Sequence, residues 1–122
     1  MKNPVSWFEI YVQDMQRART FYEKVLEIEL SKIPSDDLEM WGFPMIDNAY
    51  GAGGALAKME ACPSGGGGTL VYLFCQDCGA AAVRAQENGG RIFKDKFSIG
   101  KEGFIALIVD TEGNIVGLHS YQ

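Results

Sequence analysis

The chain has 122 residues, of which 47% are apolar, 22% charged and 11% aromatic, and this length and composition fit one globular domain with a hydrophobic core. The apolar content excludes a disordered protein, and no apolar run approaches the roughly 18 residues that a membrane span needs. The net charge of −5 and the lack of a basic patch argue against nucleic acid as a partner.

The first half of the chain alternates between strand-like and helical apolar spacing. We predict a strand over Val5–Val12 and a helix that begins after the N-cap Asp14 and ends near Glu27. Three short strands then follow, at Leu30–Ile33, Leu38–Phe43 and Ala55–Met59.

Residues 61–68, with the sequence ACPSGGGG, form a glycine-rich segment between the two halves. Four glycines ahead of a strand favour a flexible connector. A phosphate-binding loop is the alternative, but neither the G-x-G-x-x-G nor the G-x-x-x-x-G-K-[ST] motif occurs here. We therefore predict a connector.

The second half repeats the order of elements of the first half. We predict a strand at Thr69–Cys75, a helix from the N-cap Asp77 through Asn88, and strands at Ile92–Ser98, Phe104–Val109 and Asn114–Ser120. The pair Gln13-Asp14 also recurs as Gln76-Asp77. This repetition predicts one domain over residues 1–122 built by internal duplication, with module one at 5–60, the connector at 61–68 and module two at 69–121.

Three segments carry a resemblance to the vicinal oxygen chelate superfamily, which includes glyoxalase I, extradiol dioxygenases, and bleomycin and fosfomycin resistance proteins. VQDMQRARTFY at 12–22 resembles the strand-to-helix segment of the family, and GGRI at 89–92 resembles the turn after its second helix. The turn Asp110–Asn114 resembles an Asp-Pro-x-Gly-Asn hairpin, with Thr111 in place of proline. The resemblance implies an α+β fold in which two βαβββ modules form a half-closed curled sheet around a cup.

Metal-dependent members of this superfamily hold a metal ion in the cup through two histidines and a glutamate. The matching positions here are Trp7, Leu70 and Gly117, whose side chains cannot ligate a metal ion. The resemblance therefore predicts a cup without the usual metal site.

The same alignment indicates which side chains face the cup, because successive strand residues point to opposite faces. The expected set contains aromatic residues, one carboxylate and one imidazole, which is typical of a small-molecule pocket. Its members are Trp7, Glu9, Tyr11, Leu70, Tyr72, Phe74, Gly117 and His119.

Glu9 and His119 are the candidate catalytic residues of this set. A glutamate in a core strand is costly to bury unless it is paired, so Glu9 is either a ligand-facing or catalytic group or a structural, solvated one. His119 is the only histidine and must carry any histidine-based proton transfer, unless it is an exposed residue near the C-terminus. These two ligands alone make a poor metal site, so we predict no cofactor, with a divalent metal ion as the alternative.

The three cysteines include Cys75 and Cys78, whose C-x-x-C spacing resembles a thioredoxin motif. Because Asp77 is the predicted N-cap, we expect both thiols to be buried in the core rather than redox-active. An odd cysteine count without signs of secretion favours reduced thiols and a cytoplasmic protein.

These observations favour a glyoxalase- or bleomycin-resistance-like protein that binds a small aromatic or amphipathic molecule without a metal ion. The alternatives are a lyase or dioxygenase-like enzyme that uses Glu9 and His119, and a partner protein whose cup is vestigial. We also predict a homodimer, with Trp41, Phe43 and Met45 as candidate interface or rim residues.

Overall fold

The computed structural model describes residues 3–122, in which a strand, a helix and three strands occur twice in succession. The first set is β1 (Val5–Tyr11), α1 (Met15–Leu26), β2 (Ser31–Ile33), β3 (Glu39–Gly42) and β4 (Gly53–Lys58). The second set is β5 (Thr69–Phe74), α2 (Cys78–Glu87), β6 (Arg91–Ser98), β7 (Phe104–Val109) and β8 (Ile115–Ser120), with a short 3-10 turn at Gly100–Glu102. The predicted α+β fold with two βαβββ modules is confirmed.

The chain packs as two compact units. The first module comprises residues 7–69, and the second comprises residues 70–122 together with residues 3–6. Strands of the first module are ordered β2-β3-β4-β1, with β1 and β4 parallel. Those of the second are ordered β5-β8-β7-β6, with β5 and β8 parallel. Each module is therefore a four-stranded mixed sheet covered by one helix.

Both helices begin at the predicted aspartates. The Asp14 carboxylate accepts a hydrogen bond from the backbone N–H of Arg17 (3.0 Å), and Asp77 accepts one from the N–H of Gly79 (2.9 Å). Lys96 also donates to Asp77 (3.0 Å), and this bond, followed by the helix N–H groups, lowers the pKa of the Asp77 carboxyl. Neither helix within residues 3–122 is long and apolar enough to cross a membrane.

The hydrophobic core of each module lies between its helix and its sheet. In the first module, Met15, Leu30 and Leu56 are buried and pack with partly buried side chains such as Ile10 and Trp41. In the second, the buried core residues are Cys78, Ala82, Ala106, Ile108 and Leu118. Because strand residues alternate, the remaining side chains of each sheet face away from its helix.

Candidate functional site

In the first module, β1 carries three of the predicted site residues on the sheet face opposite α1. Trp7, Glu9 and Tyr11 alternate with the core-facing residues, as the sequence predicts. Their partners on the parallel neighbour β4 are Gly53, Ala55 and Ala57. A row of large side chains with polar groups therefore lies beside a row of very small ones, and we call this surface the first-module face.

Glu9 is the centre of the first-module face. It is only 8% exposed, although it is charged in its ordinary state. The indole Nε1–H of Trp7 donates to Glu9 Oε2 (3.1 Å), and the hydroxyl of Tyr11 donates to Glu9 Oε1 (2.8 Å). Each oxygen thus accepts a bond from a neutral donor, an arrangement that suits the acceptor-only carboxylate.

No cationic side chain within residues 3–122 forms an ion pair with Glu9. The described ion pairs join Arg19 to Glu23 (3.7 Å) and Lys96 to Asp77 (3.0 Å). Within this part of the chain, the partners of the Glu9 carboxylate are therefore neutral hydrogen-bond donors.

Met45 contacts the first-module face at its edge. A Cβ atom added to Gly53 would overlap the Met45 sulfur and lie 3.4 Å from the Trp7 ring. Met45 is itself 64% exposed, so this flexible side chain rests on the face without closing it. By contrast, Trp41 and Phe43 pack on the helix side of the sheet, which contradicts a rim position for them, whereas an interface position stays a prediction.

In the second module, the face opposite α2 contains the other predicted site residues. Leu70 and Tyr72 are buried, each 8% exposed. The ring of Tyr72 lies where a Cβ atom on Gly117 would be, because the two residues are partners across β5 and β8. The space beside Gly117 is therefore filled by an aromatic ring.

His119 lies on the same strand, two residues beyond Gly117, and contacts two other rings. Its ring centroid is 5.8 Å from that of Phe74 and 5.0 Å from that of Tyr121. Its Nε2–H donates to the backbone carbonyl of Glu102 (2.7 Å), which leaves Nδ1 as the acceptor of the neutral ring. Our sequence analysis missed Tyr121, although its spacing of two residues from His119 is the signal that could have identified it.

Glu9 and His119 belong to different modules, and each has its own partners. Glu9 is bound by Trp7 and Tyr11 in the first module, and His119 by Glu102 in the second. Each of the two candidate catalytic residues therefore has its hydrogen-bond partners within its own module.

The residues at the family's metal-ligand positions do not fit a metal ion. Trp7, Leu70 and Gly117 offer no side-chain ligand, and Tyr72 fills the space that a longer residue at 117 would need. Residues 3–122 contain no group of three histidine, cysteine, aspartate or glutamate side chains arranged to hold a metal.

Cys75 and Cys78 occupy the core, as the sequence predicts. Cys78 is fully buried beside Ala82, and both cysteines are free thiols. Burial, followed by the proximity of Cys78, raises the pKa of the Cys75 thiol. The attacking cysteine of a redox-active C-x-x-C motif needs a lowered pKa, so the Cys75 thiol lacks the property that such chemistry requires.

Comparisons with known proteins agree with this fold. The family model described as Glyoxalase/Bleomycin resistance protein/Dioxygenase superfamily matches residues 5–118. Methylmalonyl-CoA epimerase from Mycobacterium tuberculosis superposes with a TM-score of 0.67 at 15% identity, over 98% of this chain and 88% of that one. A hypothetical protein from Bacillus halodurans C-125 gives 0.69 at 13% identity, over 97% and 94% of the two chains.

A variant of Streptomyces coelicolor methylmalonyl-CoA epimerase in complex with 2-nitronate-propionyl-CoA gives a TM-score of 0.65 at 16% identity, over 96% of each chain. No curated protein sequence matches the chain significantly. At these identities the solved structures show a shared fold and not a shared ligand. The match of the family model over most of the sequence identifies the chain as a member of the glyoxalase/bleomycin resistance protein/dioxygenase superfamily.

Proposed function

We propose that this protein binds a small aromatic or amphipathic molecule on the first-module face, without a metal ion at the family's ligand positions. The observation that carries the proposal is the buried carboxylate of Glu9 held between Trp7 and Tyr11. A few oriented polar groups among apolar and aromatic walls are what small-molecule sites usually contain. The residues of β4 beside this row are small: Gly53 lies under the Met45 side chain, and Ala55 and Ala57 are fully buried.

Charge argues against one ligand that the comparisons suggest. The Streptomyces coelicolor epimerase is in complex with a CoA compound, and CoA carries several phosphate charges. This chain has a net charge of −5, and Glu9 adds a negative charge on the proposed face itself. The negative electrostatic potential of these charges favours a neutral or cationic ligand over an anionic one.

Replacing Trp7 with alanine should weaken the binding of naphthylmethanol, a neutral planar probe, by about tenfold, because stacking on an aromatic ring contributes roughly 0.5–1.5 kcal/mol. The substitution also removes one donor to Glu9, so we expect a modest stability loss of about 1–2 kcal/mol. Isothermal titration calorimetry measures the affinity, and urea denaturation measures the stability.

The matched control is Phe8→Ala, on the opposite face of the same strand. The Phe8 ring lies against Gly54 and 5.5 Å from the Phe43 ring, so its loss should cost about 3–5 kcal/mol of stability. Probe affinity should be unchanged in the folded protein. A greater stability loss in Trp7→Ala, or weaker binding in Phe8→Ala, would show that the faces are assigned the wrong way round.

The second candidate function is a lyase-like or dioxygenase-related enzyme that uses Glu9 and His119. It is favoured by the hydrogen bond from His119 to Glu102, which leaves Nδ1 available as a proton acceptor. The epimerases among the structural neighbours add an enzyme precedent for the fold. His119→Gln separates the two candidates, because binding of naphthylmethanol on the first-module face does not involve His119, whereas an enzyme that uses both residues would lose its activity.

We also propose that the protein is a cytoplasmic homodimer. The free state of all three cysteines supports a reducing location. Phe21, Val25 and Leu26 are each more than half exposed on α1, which supports an interface there. Sedimentation velocity at micromolar concentration should give twice the 13.4 kDa chain mass, and a single species of one chain mass would contradict the dimer.

A further inference from the structure

We propose that the bound molecule carries a protonated amine, and that its nitrogen lies against the Glu9 carboxylate between the Trp7 and Tyr11 side chains. This inference rests on the proposed function and narrows its ligand class. It follows from the charge of Glu9, from its two aromatic neighbours and from the residues of β4 beside it.

The charge of Glu9 has no counterion within the described residues. Glu9 is more than nine-tenths buried, and both of its hydrogen-bond donors are neutral groups. The one ion pair within the first module, Arg19 with Glu23, lies on α1, and Arg19 also stacks on the helix-side ring of Trp41. A buried carboxylate is stabilised most by a cation, so a cationic ligand gains an interaction that residues 3–122 do not supply to Glu9.

The two aromatic neighbours of Glu9 favour the same ligand charge. Indole and phenol rings attract cations through their electron-rich faces, most strongly at sites that exclude water. Trp7 and Tyr11 are both half-buried and are tied to Glu9 by their polar ends. A carboxylate oxygen has lone pairs beyond the one already used, so an N–H of the ligand can also donate to Glu9.

The residues of β4 beside Glu9 offer no side-chain group that would prefer an anion. They are Gly53, Ala55 and Ala57, which have no polar side-chain group, and the two alanines are fully buried. A neutral ligand would add no ion-pair partner to those that residues 3–122 give Glu9, and an anionic one would be repelled by its charge. The face therefore selects for positive charge by attraction and against negative charge by repulsion.

Isothermal titration calorimetry with two probes of the same shape tests this inference. Naphthylmethylammonium is charged at neutral pH, whereas naphthylmethanol is neutral and has the same ring. The wild-type protein should bind the ammonium probe at least about tenfold more tightly than the alcohol. Glu9→Gln keeps the size of the side chain and removes its charge, and it should bind both probes with similar affinity.

Glu39→Gln is the matched control for overall charge. Glu39 also accepts a bond from a tryptophan two residues away, Trp41 (3.2 Å), but it is exposed. Because this variant loses the same charge as Glu9→Gln, it should keep the wild-type preference if the effect is local. A loss of preference in Glu39→Gln equal to that in Glu9→Gln would overturn the inference.

The affinities of the wild-type protein for the two probes test the inference by themselves, even if Glu9→Gln folds poorly. Equal affinity of the wild type for the two probes overturns the amine inference and leaves the proposed function standing. Binding of neither probe overturns the proposed function itself. Tyr11→Phe provides a second variant, since it removes one donor but retains the charge of Glu9, and it should still prefer the ammonium probe.

Discussion

Replacing Leu56 with alanine should lower the free energy of unfolding by about 3–5 kcal/mol. Leu56 lies in the middle of β4, is fully buried, and packs with Met15 and Leu30 in the core of the first module. Removing its isobutyl group loses the transfer free energy of the buried atoms and leaves a cavity that the sheet cannot close. Urea denaturation of the wild type and variant measures the difference.

Val83→Ala is the control for this substitution, because it truncates an aliphatic side chain on the surface. Val83 is 50% exposed on α2, so its replacement should cost no more than about 1 kcal/mol. Similar losses for the two variants would mean that the first-module core is not centred on Leu56. The contrast also tests which side chains of β4 face α1. Leu56 packs on the helix side of the sheet, whereas its neighbours Ala55 and Ala57 belong to the opposite face.

Replacing Gly117 with alanine should cost about 1–3 kcal/mol, the usual range for overpacking a buried site. An added Cβ atom would overlap the ring of Tyr72, which is itself buried in the strand beside it. Gly117→Glu, which introduces the carboxylate expected of metal-dependent relatives, should be more damaging still, because a larger and charged group must enter the same space. Urea denaturation measures both.

Gly66→Ala is the matched control, because nothing lies within 4 Å of the added methyl group there. Its effect on stability should be small. Combining Gly117→Ala with Tyr72→Ala should reduce the cost of the added methyl group, since the double mutant removes the overlapping ring. Equal stability of the Gly117→Ala and Gly66→Ala proteins would show that the ring of Tyr72 lies elsewhere.

Much of the first-module face could be predicted from the sequence. The N-cap Asp14 places the end of β1, and the period of two along that strand then puts Trp7, Glu9 and Tyr11 on one face. The same alternation places Phe8 and Ile10 on the helix side. These predictions succeed because they depend only on backbone geometry.

The contacts within the faces could not be predicted in this way. The alternation of strand residues predicts that Trp7 and Tyr11 share a face with Glu9. It does not predict that both donate to the Glu9 carboxylate, because these hydrogen bonds depend on side-chain rotamers. The overlap of Tyr72 with Gly117 likewise depends on register across two strands distant in sequence. Packing between distant segments determines these details.

Trp41 and Phe43 illustrate the same limit. Their apolar run is compatible with either a core strand or a rim, and the sequence offers no periodic signal that separates the two. In the structure, Trp41 packs under the Arg19 guanidinium and Phe43 packs against Tyr22, so α1 determines their side of the sheet. Composition alone does not contain this information.

The central claim is that ligand binds at Trp7 beside Glu9, and the two indole N–H signals of this chain test it most directly. The chain has two tryptophans, and each donates to a glutamate, Trp7 to the buried Glu9 and Trp41 to the exposed Glu39. During titration with naphthylmethylammonium, followed by nuclear magnetic resonance, the Trp7 signal should shift to saturation while the Trp41 signal stays in place. A shift confined to Trp41, or no shift of either signal at high probe concentration, would contradict the claim.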